Sequence, residues 1–102
     1  MKLPGNMQSM MAQAQKMQQR MQEEIARIRV EASVGGGMVT VRMDGSKKVL
    51  GVKIDQEVAG DVEMLQDLVT AACAEAYAKA EAESSKIMSG MLGGMGLPPG
   101  LL

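Results

Sequence analysis

Two short runs of alternating apolar and polar residues, joined by a turn, occupy the middle of the chain. Val39, Val41 and Met43 recur at every second position, and Leu50, Val52 and Ile54 do the same after Asp44-Gly45-Ser46-Lys47. Period-two patterning with one apolar face predicts an antiparallel hairpin with one solvated side. Asp-Gly supplies the positive φ angles that tight turns need, and the added Ser46-Lys47 points to a longer loop or a bulge. A lone hairpin is marginal in water, so both flanking segments are expected to cover its apolar face.

Upstream, Asn6 to about Arg29 reads as one long helix. Asn6 is an N-cap after Pro4-Gly5, and no further Gly or Pro interrupts the segment. Met7, Ala14, Met21 and Ile28 fall at seven-residue spacing with Met10 and Met17 between them, and Ile25 then takes the apolar role beside Glu24. Such a slipping heptad predicts a helix packed first on a partner helix and then on a sheet. Val30, Ala32 and Val34 alternate as a further strand, and Gly35-Gly36-Gly37 provides a flexible or tight connection to the hairpin. No helix and no Lys-Ser/Thr pair follow the glycines, so a phosphate loop is disfavoured.

Downstream, the chain is expected to turn through Gln56 to Gly60 and to enter a second helix near Asp61. Val62, Leu65, Leu68, Val69, Ala72, Ala76 and Ala80 form its apolar stripe, thinning from Leu to Ala. The first half suits burial on the sheet and the second half close contact with another helix. Cys73, beside Ala72 and Ala76, reads as a small packing residue. From Ser89 onward Gly and Pro are expected to exclude regular structure, which divides the chain into a domain over 1–88 and a flexible Gly/Pro/Met-rich tail over 89–102. That tail is apolar, unlike an ordinary polar disordered end.

Composition narrows the chemistry. There is no His, one Cys, and a single aromatic residue, Tyr77. The commonest neutral-pH acid/base and the usual zinc ligand sets are therefore missing, which argues against an enzyme and against a metalloprotein. No cofactor is expected. The methionines of the first helix suit a thioether metal site less well than the packing role their heptad period already gives them. A single cysteine suits a reducing cytoplasm. The N-terminus turns polar after Leu3 and builds no signal-peptide block, and no segment has the length of apolar chain that a membrane span requires.

Charge is unevenly placed. Residues 1–54 hold nine basic side chains (Lys2, Lys16, Arg20, Arg27, Arg29, Arg42, Lys47, Lys48, Lys53) against four acidic ones, and residues 55–102 hold two basic against eight acidic. Such asymmetry is a cue for a polyanionic partner, and it equally suits two packed surfaces of opposite sign. Lys16, Arg20 and Arg27, spaced by four and seven, share one side of the first helix with Gln13, Gln19 and Glu23 nearby. They form either a solvated face or a row of phosphate contacts, and contacts of the second kind position a duplex without reading its sequence.

The order of features resembles a known family. A Met/Gln-rich first helix with QAQKMQ at Gln13 to Gln18, the run GGGMVTVRMDGSKKVLGVKID, EMLQDLVTAA at Glu63 to Ala72 and GGMGLPPG at Gly93 to Gly100 look like the YbaB/EbfC family of bacterial nucleoid-associated proteins. The resemblance implies an α+β protomer ordered α-β-β-β-α, a three-stranded antiparallel meander flanked by two long helices, and a tweezer-like dimer. It implies a non-enzymatic cytoplasmic, nucleoid-associated protein that binds double-stranded DNA with limited sequence preference, with links to replication or recombination proteins. Carried over by position, it points to Lys16 and Arg20 in the first helix and to Lys79 and Lys86 in the second.

Together these readings nominate Lys16, Arg20, Arg27 and Arg29 for phosphate contact, with Arg42, Lys47, Lys48, Lys53, Lys79 and Lys86 as a secondary set. Without aromatics, base-stacking recognition of single strands is disfavoured. The alternative is a protein–protein adaptor that recruits a partner through the Met-rich helix and the apolar tail.

Overall fold

The computed structural model describes residues 5–94. The first element, α1, spans Gly5–Arg27. It is followed by β1 (Arg29–Val34), β2 (Val39–Asp44), β3 (Val49–Ile54), a single helical turn α2 (Gln56–Ala59) and the long helix α3 (Val62–Gly94). The strands form an antiparallel meander in the order β1-β2-β3. The α+β architecture expected from the patterning is the one observed, with α2 added: Asp55 accepts from the Glu57 N–H at 3.0 Å and so caps one turn of helix where only a bend was expected.

Register decides which side chains are covered. Val30 lies opposite Met43, Ala32 opposite Val41 and Val34 opposite Val39, so these six share one face. On the other side of β2, Val41 pairs with Val52 and Val39 with Ile54, but the ladder slips between Arg42 and Met43, so that Met43 pairs with Val49. This bulge removes Leu50 from the apolar face assigned to it by simple alternation. Val49 takes that place, and Leu50 lies with Arg29, Glu31 and Arg42 on the opposite side of the sheet.

One helix covers the inner face. The α3 residues Ala72, Ala76 and Ala80 are fully buried against a core that contains Ala32, Val39, Val41, Met43 and Val58. The alanine half of α3, expected to meet another helix, lies on the sheet instead, because small side chains let the helix axis approach the β1 and β2 backbones closely. Val62, expected in the stripe, is 61 % exposed, whereas Leu65, Leu68, Val69 and Cys73 flank the core. Burying Val39, Val41 and Val58 contributes about 1.5–3 kcal/mol each relative to exposure, which makes the thin core aliphatic throughout.

The turns are held by different devices. Gly35, Gly36 and Gly37 all have positive φ (64°, 68° and 95°), the left-handed conformation that only glycine adopts cheaply in succession. In the β2–β3 turn the positive φ belongs to Lys47 (71°), where Gly45 was expected to supply it. Gly45 is required for another reason: a Cβ there would run into the Ile25 carbonyl and lie 2.7 Å from Ile28 Cδ1. Asp44, nearly buried, orders the same turn by accepting from Ser46 Oγ (2.6 Å), Ser46 N–H (2.9 Å) and Lys48 N–H (3.0 Å). These bonds, that of the Ser46 hydroxyl first, hold its carboxyl below the usual carboxylate range.

Two boundaries differ from expectation. α1 ends at Arg27, with one residue, Ile28, before β1, so Arg29 opens a strand. α3 continues through Ser89 to Gly94, since Met91 and Leu92 separate Gly90 from Gly93 and no proline lies between Ser89 and Gly94. The expected tail residues 95–102 lie outside the described residues.

Candidate nucleic-acid interface

β1 fixes the direction in which the long helices leave the sheet. A Cβ on Gly35, just past the end of β1, would lie 2.9 Å from Leu68 Cδ2. At the other end of the strands Ser84 Oγ donates to the Gly45 carbonyl at 2.7 Å, and the Gly45 N–H donates to the Ile25 carbonyl at 3.2 Å. Residues 68–84 of α3 therefore cover the strands from end to end, and the remainder of α3 passes beyond them. α1 enters β1 at that same end. Its Met21 and Ile25, and Ile28 just after it, are half-buried, whereas every residue from Asn6 to Arg20 is exposed. The N-terminal part of α1 thus stands off the body, antiparallel to the far end of α3.

On this exposed part lie Lys16 and Arg20, one helical turn apart. They line a shallow open depression with Gln13 and Met17, and a second with Gln19 and Glu23. Arg27 is exposed at the C-terminal turn of α1. None of the three has a carboxylate within 4 Å among the described residues, so each presents a full charge to solvent. Arg29 differs: its Nη1 donates to the Ala26 (2.7 Å) and Ile28 (2.9 Å) carbonyls, closing the end of α1. That cation completes a helix terminus and has fewer donors left for a ligand.

The secondary set divides in the same way. Arg42, Lys48 and Lys53 are exposed on the strands and their turn. Arg42 lies across Gly51, where a Cβ would come within 2.6 Å of Nη2. A glycine inside a strand signals close approach of this kind, and it is the one local cue that could have placed Arg42 in advance. Lys47 pairs with Glu81 and stands 4.9 Å from the centre of the Tyr77 ring; the carboxylate beside it raises its pKa above the usual lysine value. Lys79 donates to the Glu31 carbonyl at 2.9 Å and pairs with Glu75 at 3.8 Å, and Lys86 pairs with Glu83 at 3.1 Å. These three cations are occupied within the fold.

The acidic side chains of α3 account for most of that pairing. Pairing of opposite charges thus accounts for the lysines of the turn and of α3, whereas Lys16, Arg20 and Arg27 have no carboxylate partner among the described residues.

The geometry defines an α+β protein whose candidate site is an exposed helix face carrying unpaired cations, in place of a cleft. Comparison with known proteins makes the assignment specific. Residues 2–95 match the YbaB/EbfC DNA-binding family, and the chain belongs to it. It is 50% identical to a nucleoid-associated protein of Koribacter versatilis over 91% of this chain and 94% of that one. A nucleoid-associated protein of Xanthomonas campestris is 47% identical over 95% and 94% of the two chains. The crystal structure of an uncharacterized protein from Helicobacter pylori shares the fold, with a TM-score of 0.76 at 21% identity over 89% of this chain and 99% of the other.

Proposed function

We propose that the protein binds double-stranded DNA in the nucleoid as a homodimer, through the phosphate backbone and with little sequence preference. The observation that carries this reading is the row Lys16, Arg20 and Arg27, unpaired on a helix whose first half projects from the body. Point charges on an exposed helix suit a polyanion that offers phosphates along its length, and the DNA-binding family supports that partner. Arg42, Lys48 and Lys53 form a second patch on the strands.

Dimerisation is supported by the opposite margin of the sheet. β3 is an edge strand, and its inward-facing Val49, Val52 and Ile54 are 46 %, 47 % and 41 % exposed. Exposed Val62 and Met64 lie at the start of α3. Rows of uncovered β-branched residues on an edge strand call for a partner, and two-fold pairing with a second copy covers both at once. It also duplicates the basic row, giving two separated grips from one modest cluster.

The test is fluorescence anisotropy of a labelled random-sequence duplex titrated with the protein at several salt concentrations. Binding that weakens steeply with salt, and that is weaker in the Lys16/Arg20/Arg27→Ala variant, supports backbone recognition. Equal binding by both proteins removes it.

A further inference from the structure

Ile25 and Ser84 meet through Gly45, which sets the two long helices level at that point. From there α3 runs ten more residues to Gly94, about 15 Å, while α1 runs back eighteen residues to Met7, about 27 Å. The end of α1 therefore overhangs α3 by about 12 Å. With α3 itself about 50 Å long, this agrees with the 66 Å long dimension of the molecule.

The overhang carries an apolar strip lined by Met7, Met10, Met11 and Ala14. Met10 is 66 % and Met11 53 % exposed, and no described residue covers them. A helical segment of this length without tertiary contacts is marginal in water. Yet the same segment leads directly into Lys16 and Arg20, which meet Met17 in a common depression. The two faces of α1 thus have different needs: one presents charge, and the other lacks cover.

The chain that follows α3 is MGLPPGLL, residues 95–102, with four large apolar side chains and none that is charged. α3 ends level with about residue 15 of α1 and runs toward the α1 N-terminus, so a segment continuing from Gly94 needs no reversal to reach the strip. Eight residues reach at most about 26 Å, twice the length of the strip. Methionine surfaces accept irregular apolar segments, and Pro98-Pro99 limits the entropy cost of docking.

We infer that residues 95–102 dock on the Met7–Ala14 strip of their own chain and thereby hold the N-terminal half of α1 in the helical form that presents Lys16 and Arg20. The consequence for DNA rests on the function proposed above; the docking itself does not.

The test uses the full chain with 13C-methyl methionine, Cys73→Ala to remove the native thiol, and Leu102→Cys carrying a nitroxide. The Met10 and Met11 methyl signals are expected to broaden severalfold more than that of Met64, at the opposite end of α3. Equal broadening, or none, overturns the inference. So does broadening that appears only when label and isotope are on different chains of a mixed sample, which would place the segment on a second copy. In a second arm, a chain ending at Gly94 is expected to show at least tenfold faster amide exchange over Met7–Met17, and unchanged exchange there also overturns it. Selective broadening with faster exchange on truncation, in a protein that binds no duplex at low salt, upholds the docking and removes only the DNA reading.

Discussion

The hydroxyl of Ser84 donates to the carbonyl of Gly45 at 2.7 Å, across thirty-nine residues of sequence. The bond is buried, and the Gly45 N–H is engaged by Ile25 of α1 at the same time. Ser84→Ala leaves a buried carbonyl without its partner and is expected to cost about 1–3 kcal/mol, read from urea unfolding.

Space and backbone conformation make separable demands on the turn glycines. Gly45→Ala drives a methyl group into the Ile25 carbonyl and Ile28, with an expected loss of about 1–3 kcal/mol and a loosened α1. Gly36→Ala has open space around it but keeps φ at 68°, so it is expected to cost only about 1–2 kcal/mol and to leave α1 untouched. Unfolding curves measure the first difference, and amide exchange at Met21 to Ile25 measures the second.

Asp44 gives the fold an acid-sensitive component. Its carboxyl pKa is lowered in the folded state, so its contribution is complete above the unfolded value near 3.8 and is lost as pH falls through the lower folded one. Asp44→Asn is expected to be less stable than wild type at neutral pH, and the gap is expected to close as unfolding is measured at successively lower pH below 3.8.

Cations of similar charge are expected to behave differently toward DNA. Replacing Lys16, Arg20 and Arg27 by Ala should lower the magnitude of the log-affinity against log-salt slope by about 0.9 for every phosphate that is no longer neutralised. Replacing Lys79 and Lys86, which are paired with Glu75 and Glu83, should leave that slope nearly unchanged. Anisotropy titrations over a salt series measure both.

Val52→Lys places a charge in the uncovered margin of β3 without touching the buried core. Sedimentation equilibrium is expected to show a dimer for wild type and a shift toward monomer for the variant, with far-UV circular dichroism unchanged. A variant that stays dimeric would move the interface elsewhere.

Local patterning carried most of this fold. The alternation of Val39, Val41 and Met43 marked β2 correctly because that strand is central and buried on one side only. The same rule misplaced Leu50, since a one-residue bulge inverts alternation and leaves no mark in residue type. Alanines at 72, 76 and 80 announced a close approach without saying whether a sheet or a helix lay across it. Within the candidate site, the row Lys16, Arg20 and Arg27 was legible from spacing alone. The engagement of Lys47 and Lys79 was not, because their partners Glu81 and the Glu31 carbonyl come together only through the tertiary fold, and that of Arg29 was not, because it depends on α1 ending at Arg27, before the boundary expected from the pattern.

A single residue, Ile28, links α1 to β1, and the hydrogen bond that ties the helix to the sheet lies at Gly45. This makes α1 a lever with a short anchored end and a long arm. With Met7 about 27 Å from the pivot, a tilt of about 10° sweeps the tip through about 5 Å, more than the rise of one base step along a strand. The direction of the arm is therefore set at Gly45, a glycine outside the row Lys16, Arg20 and Arg27.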